Sequence, residues 1–122
     1  MYLRANDKKI FAYTGARPHQ EGLESVVFVH GTGMDHTVWL LPARYFSHHQ
    51  FNVLATDLPG HGRSEGPVAT SIESMSDEVV AAMDAAEIER AAIVGHSMGS
   101  LVTLALAARN PDRVRSLALI GT

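Results

Sequence analysis

From residue 26 onward the chain alternates short apolar segments with longer helix-patterned ones, and this alternation constrains the fold more than any other feature. Val26-Val27-Phe28-Val29, Asn52-Val53-Leu54-Ala55-Thr56 and Ala91-Ala92-Ile93-Val94 are nearly unbroken aliphatic or aromatic runs. A strand with one wet face alternates apolar and polar residues. An unbroken run reads instead as a strand buried on both faces. Thr37 to Tyr45 has helical character, interrupted by Pro42. Ile72, Met75, Val79, Val80, Met83 and Ile88 recur near the helical period, behind a Thr70–Glu73 pair at capping-box spacing. Leu101 to Arg109 reads as a helix stopped by Asn110-Pro111, and Val114 to Ile120 as a last strand. This order predicts βαβ units, a parallel sheet with helices on both faces, and right-handed crossovers. Ahead of it, Tyr2–Ala5 and Ile10–Thr14 can pair across the turn-prone Asn6-Asp7.

Composition supports a packed core. Among 122 residues, 46% are hydrophobic and 19% charged, which is ordinary globular usage and argues against disorder. The net charge of −3 argues against nucleic acid, whose phosphates call for a basic face. The absence of cysteine rules out disulfides, zinc–thiolate sites and a thiol nucleophile, and fits a cytoplasmic protein. No apolar run approaches the roughly 18 residues of a membrane span, and the N-terminus turns polar too early for a signal peptide. Neither a membrane nor a nucleic acid is expected as a partner. The oligomeric state is not legible.

In open parallel sheets, ligands bind beyond the carboxyl ends of the strands. Three glycine-bearing loops fall there, after Val29, Thr56 and Val94. The third, Gly95-His96-Ser97-Met98-Gly99, has the Gly-x-Ser-x-Gly pattern of a nucleophile elbow, with a strand before it and a helix after. The chemistry explains the residue types. A nucleophile at the tip of a sharp strand-to-helix turn needs a strained backbone. Glycines on either side allow strand and helix to approach. The helix that follows aims free amides at developing negative charge.

The first loop opens with His30-Gly31-Thr32-Gly33. Hydrolases built on a nucleophile elbow draw one oxyanion amide from such a loop and another from the residue after the nucleophile. Those amides would be Thr32 and Met98. The second loop, Asp57-Leu58-Pro59-Gly60-His61-Gly62-Arg63-Ser64, reads as a structural turn that orders the ground beside the site.

Taken together, His30 to Trp39, Asp57 to Ser64 and Gly95 to Gly99 resemble the α/β-hydrolase fold family. Asn110 to Val114, running into Leu119-Ile120-Gly121, is similar to that family's helix-to-strand connection. The resemblance implies an α/β fold, the N-terminal half of that architecture. It would comprise an antiparallel edge hairpin and about four parallel strands, with residues 1–122 forming an incomplete core domain. It implies Ser97 as nucleophile, acting on esters or related acyl or carbon–carbon bonds of a small-molecule substrate. No metal or organic cofactor is called for. Serine at this position speaks against the dehalogenase and epoxide hydrolase branches, which carry aspartate.

The family's chain order is Ser, then an acid, then His. Only 25 residues follow Ser97; none is histidine, and Asp112 is the only acid. His30 and His61 read as structural, His48 and His49 as exposed, and the side chain of His96 should leave the elbow in another direction. No catalytic base is assigned, and the chain alone is expected to be inactive. Other classes fit less well. Gly31-Thr32-Gly33 and Gly60-His61-Gly62 both fail the dinucleotide fingerprint at its last glycine, and no His-Glu-x-x-His metal spacing occurs. A non-catalytic binding protein on the same fold remains the alternative.

Overall fold

The computed structural model describes residues 1–121. Six strands form one sheet: β1 (Tyr2–Ala5), β2 (Lys8–Tyr13), β3 (Ser25–Val29), β4 (Asn52–Thr56), β5 (Ala91–His96) and β6 (Val114–Ile120). Three helices intervene: α1 (Leu40–Ser47), α2 (Ile72–Ala85) and α3 (Met98–Arg109). The spatial order is β1-β2-β4-β3-β5-β6. The β1–β2 hairpin is antiparallel and sits at one edge, while β4, β3, β5 and β6 run parallel. This is the expected hairpin plus four parallel strands.

The alternation of side chains explains the unbroken apolar runs. Val27 and Val29 of β3, Leu54 of β4 and Ile93 of β5 face a core shared with Val79, Ala82 and Met83 of α2 and Val102 and Leu106 of α3. Val26 and Phe28 of β3 and Val53 and Ala55 of β4 face the other way, onto Trp39 and Ala43 at the start of and within α1. Period two therefore splits each run between two cores. The chain steps from β3 to β4 in one direction. It then crosses back over β3 to reach β5. With right-handed crossovers, that reversal puts α1 on one face and α2 and α3 on the other.

Several local expectations shift. The segment read as Thr37–Tyr45 is a 3-10 turn, His36–Trp39, followed by α1, which runs to Ser47. Pro42 does not interrupt α1, because it lies in the first turn, where its missing N–H has no intrahelical acceptor. The cap of α2 moves by one residue. Ser71, not Thr70, is the N-cap; its hydroxyl accepts from Ser74 N at 3.0 Å, and Ser74 Oγ accepts from Ser71 N at 3.2 Å. Strand β2 begins two residues earlier than expected. Beyond its short ladder with β4, it bonds the Asp57–Ser64 loop and the residue after it: Phe11 N donates to Ser64 Oγ at 2.9 Å and Glu65 N to Lys9 O at 2.9 Å.

Strand β6 is the far edge and pairs only with β5 among the described residues. Leu117, Leu119 and Ile120 are exposed there, and Leu101 and Leu104 are exposed on α3. No helix among the described residues is long and apolar enough to cross a membrane.

Candidate active site

Register assembles the site. Strands β3 and β5 pair in parallel with Val29 opposite Gly95, so the turn after β3 and the elbow after β5 emerge side by side. This is the point where strand order reverses, and such a point leaves a crevice at the carboxyl ends. A Cβ placed on Gly31 would lie 3.1 Å from Ser97 Cβ. The His30–Gly33 loop therefore rests directly against the serine.

Ser97 is exposed at the junction of β5 and α3, with φ +56° and ψ −122°. A non-glycine residue in that region costs about 1–3 kcal/mol and persists only where its surroundings hold it. The strain has a chemical consequence. A serine that precedes a helix ordinarily adopts extended backbone and gives its oxygen to the amides of the first turn. Ser97 makes no such side-chain cap bond; its carbonyl, not its hydroxyl, accepts from Ser100 N. The hydroxyl remains available.

The flanking glycines are required by contact. A Cβ on Gly95 would sit 2.6 Å from the Gly99 carbonyl carbon and 2.8 Å from Ser100 Cα. One on Gly99 would sit 2.6 Å from the His30 carbonyl oxygen. The first turn of α3 thus lies against the ends of β5 and β3. Met98 is the first residue of α3, where backbone N–H groups have no intrahelical acceptor. No turn or loop hydrogen bond among the described residues uses the Thr32 or Met98 N–H. The two side chains touch: Thr32 Oγ1 donates to Met98 Sδ at 2.9 Å.

Asp57 anchors the neighbouring loop. It is fully buried. Its Oδ1 accepts from His36 N at 2.6 Å and from His36 Nδ1 at 2.9 Å, and its Oδ2 accepts from Arg63 N at 3.0 Å. Its carbonyl accepts from Ser64 Oγ at 2.7 Å. A buried carboxylate with three donors satisfies the demand that burial places on a charge. Asp35, His36 and Asp57 bring ligand-type atoms within 4.8 Å of one another. Those atoms are committed elsewhere: Asp35 caps the 3-10 turn through Thr37, which also holds its carboxyl below the usual range. The cluster is a loop-fastening knot. Sequence reasoning missed the His36–Asp57 pair, which spans 21 residues; the Asp35-x-Thr37 cap did have a local signal.

None of the seven histidines hydrogen-bonds to Ser97 among the described residues. His30 is fully buried, with Nδ1–H donating to Gly31 O at 2.8 Å and Nε2 accepting from Leu58 N at 3.0 Å. That pattern requires the neutral ring, and desolvation lowers its pKa from the ordinary 6.5. His61 turns to Pro59 O, and His48 and His49 are exposed. The His96 ring lies perpendicular to that of Trp39, with centroids 6.3 Å apart. The structural readings of His30 and Asp57 agree with these contacts. A cavity of about 710 Å³ opens among Glu24, Ser25, Glu89, Arg90 and Arg115, at the amino ends of the strands and so at the opposite end from Ser97.

The chain is similar to several known proteins. The chain is 43% identical over 101 residues to the dihydrolipoyllysine-residue acetyltransferase component of the acetoin cleaving system of Cupriavidus necator, covering 82% of this chain and 27% of that protein. It is 38% identical over 104 residues to 2-hydroxymuconate semialdehyde hydrolase of a Pseudomonas species, covering 80% of this chain and 36% of that one. The solved enol-lactonase of Burkholderia xenovorans superimposes with a TM-score of 0.84 at 32% identity, over 96% of this chain and 45% of that one. The chain therefore spans roughly a quarter to two-fifths of the length of such curated relatives. The alpha/beta hydrolase fold family matches residues 24–122, and the chain belongs to that family.

Proposed function

We propose that Ser97 is the nucleophile of a serine hydrolase acting on esters, or on related acyl and carbon–carbon bonds, of a small molecule. The observation that carries this reading is an exposed serine at φ +56°, with its hydroxyl withheld from helix capping. In this reading Ser97 Oγ attacks a carbonyl carbon. The Thr32 and Met98 amides receive the oxyanion, and the N-terminus of α3 adds its dipole. The hydroxyl proton must pass to a base. Among the described residues no histidine hydrogen-bonds to Ser97, so in this reading the base and its orienting acid come from outside them and the chain alone is inactive. The semialdehyde hydrolase and enol-lactonase among the relatives support hydrolysis as the reaction class.

The test is p-nitrophenyl acetate hydrolysis by the full-length enzyme, its Ser97→Ala variant and the isolated 122-residue chain. Turnover is expected only from the first. Undiminished activity in Ser97→Ala, or serine-dependent turnover by the isolated chain, would contradict the assignment. A full-length protein that binds such esters without turnover would favour the binding-protein alternative.

A further inference from the structure

We infer that the Thr32 hydroxyl is a positioning group: by clasping the Met98 thioether, it holds the two halves of the oxyanion hole in register. The inference rests on reading the Thr32 and Met98 amides as the oxyanion donors. These two residues lie 66 positions apart, on separate segments, yet their own side chains meet, with Thr32 Oγ1 donating to Met98 Sδ at 2.9 Å.

The two segments differ in stiffness. Met98 begins a twelve-residue helix wedged between strand ends. Thr32 sits on an exposed turn between Gly31 and Gly33, and Gly33, at φ +72°, has open space where a Cβ would be. Gly31 is buried against Ser97, so one side of the turn is anchored while the Thr32–Gly33 side meets solvent. Donors that stabilise a developing charge must stay within about 0.5 Å of their working geometry. The clasp ties the soft segment to the rigid one. Threonine suits the task because its β-branch restricts χ1, so the hydroxyl is aimed with little entropy left to lose. A thioether is a weak acceptor, so the bond acts through placement rather than through strength. Met98 Sδ thereby acquires a role that its backbone position in the elbow does not require.

The experiment has two arms. In this chain, labelled with 13C at the methionine methyls, Thr32→Val is expected to move the Met98 resonance, assigned by its loss in Met98→Leu. The signals of Met1, Met75 and Met83, which lie outside this turn, stay in place, and Thr32→Ser leaves the Met98 signal near its wild-type position. In the full-length enzyme with p-nitrophenyl acetate, Thr32→Val is expected to lower kcat about tenfold with KM unchanged, within the range a small misplacement of catalytic groups costs. Met98→Leu lowers kcat similarly, the double variant falls no further, and Thr32→Ser restores most of the rate.

An unmoved Met98 methyl in Thr32→Val overturns the clasp, whatever the activity. With the methyl moved, an unchanged kcat, a failure of Thr32→Ser to rescue, or losses that multiply in the double variant overturn its positioning role. Ser97→Ala run beside them separates that failure from a failure of the nucleophile reading. If Ser97→Ala retains full activity, the hole itself is misassigned and the positioning role falls with it, while the methyl shift alone still decides the clasp.

Discussion

Gly99→Ala tests the architecture of the elbow, because two known effects oppose each other there. Gly99 is the second residue of α3, and alanine is favoured over glycine in a helix by up to about 1 kcal/mol. On that ground alone the substitution would stabilise the protein. The added Cβ, however, would lie 2.6 Å from the His30 carbonyl oxygen and nearer still to that of Val29. Ordinary contact begins near 3.4 Å, so the helix start must move about 0.8 Å from the His30 oxygen and further still from that of Val29 at the end of β3. Both obstacles are backbone, and β3 is held by ladders on each side, to β4 and β5. Overpacking typically costs about 1–3 kcal/mol, and a collision with fixed backbone belongs at the upper end. The collision wins, leaving a net loss of about 2 kcal/mol after the propensity gain. For a chain of this size that corresponds to a fall in Tm of roughly 8 °C. The assay is thermal and urea denaturation of the 122-residue chain, followed by far-ultraviolet circular dichroism. Gly22→Ala serves as control: φ is +86° and no atom lies within 4 Å, so it carries backbone strain of about 1–2 kcal/mol without collision. A Gly99→Ala chain as stable as wild type would show that α3 does not need this approach, and the reasoning would fail.

Three further outcomes follow from the geometry. Asp57→Ala strips the acceptor from His36 N, His36 Nδ1 and Arg63 N, and is expected to cost about 3 kcal/mol in urea denaturation; a loss below about 1 kcal/mol would mean that water replaces the carboxylate freely. Burial holds His30 neutral, so the unfolded chain takes up a proton near 6.5 that the folded chain resists. Stability should therefore be full above that pH and decline as pH falls below it, and His30→Gln should flatten that decline; an unchanged slope would remove His30 as its source. The exposed β6 edge should drive self-association, and Leu117→Lys with Leu119→Lys should shift sedimentation toward monomer, since charge on an open edge opposes strand pairing; a sedimentation profile unmoved by both lysines would discount that edge.

The strands and helices were legible because their signals are local. Val26–Val29 could be read as doubly buried from its lack of polar alternation, and two cores indeed divide it. Boundaries were less legible where two residues compete for one role. Thr70 and Ser71 can each cap a helix, and it is Ser71, with Ser74 as its partner, whose extended backbone and hydroxyl meet the first turn of α2. Pro42 reads as a breaker in isolation but is harmless in a first turn, and only the position of α1 reveals which applies. The pairings of Asp57 with His36 and of β2 with the Asp57–Glu65 loop have no sequence period at all.

By itself, the sequence determined that a serine would stand between a buried strand and a helix, flanked by glycines, with a glycine-rich turn after an earlier strand. Those are properties of neighbouring residues, set by sterics and hydrophobic period within a few positions. The tertiary structure alone decided how closely the earlier turn would lie against that serine, that the serine's hydroxyl would be withheld from capping, and that the Thr32 side chain would reach that of Met98. Each depends on the parallel register of β3 and β5, which sets Val29 opposite Gly95. That register is fixed by packing across two cores, and no local pattern encodes it.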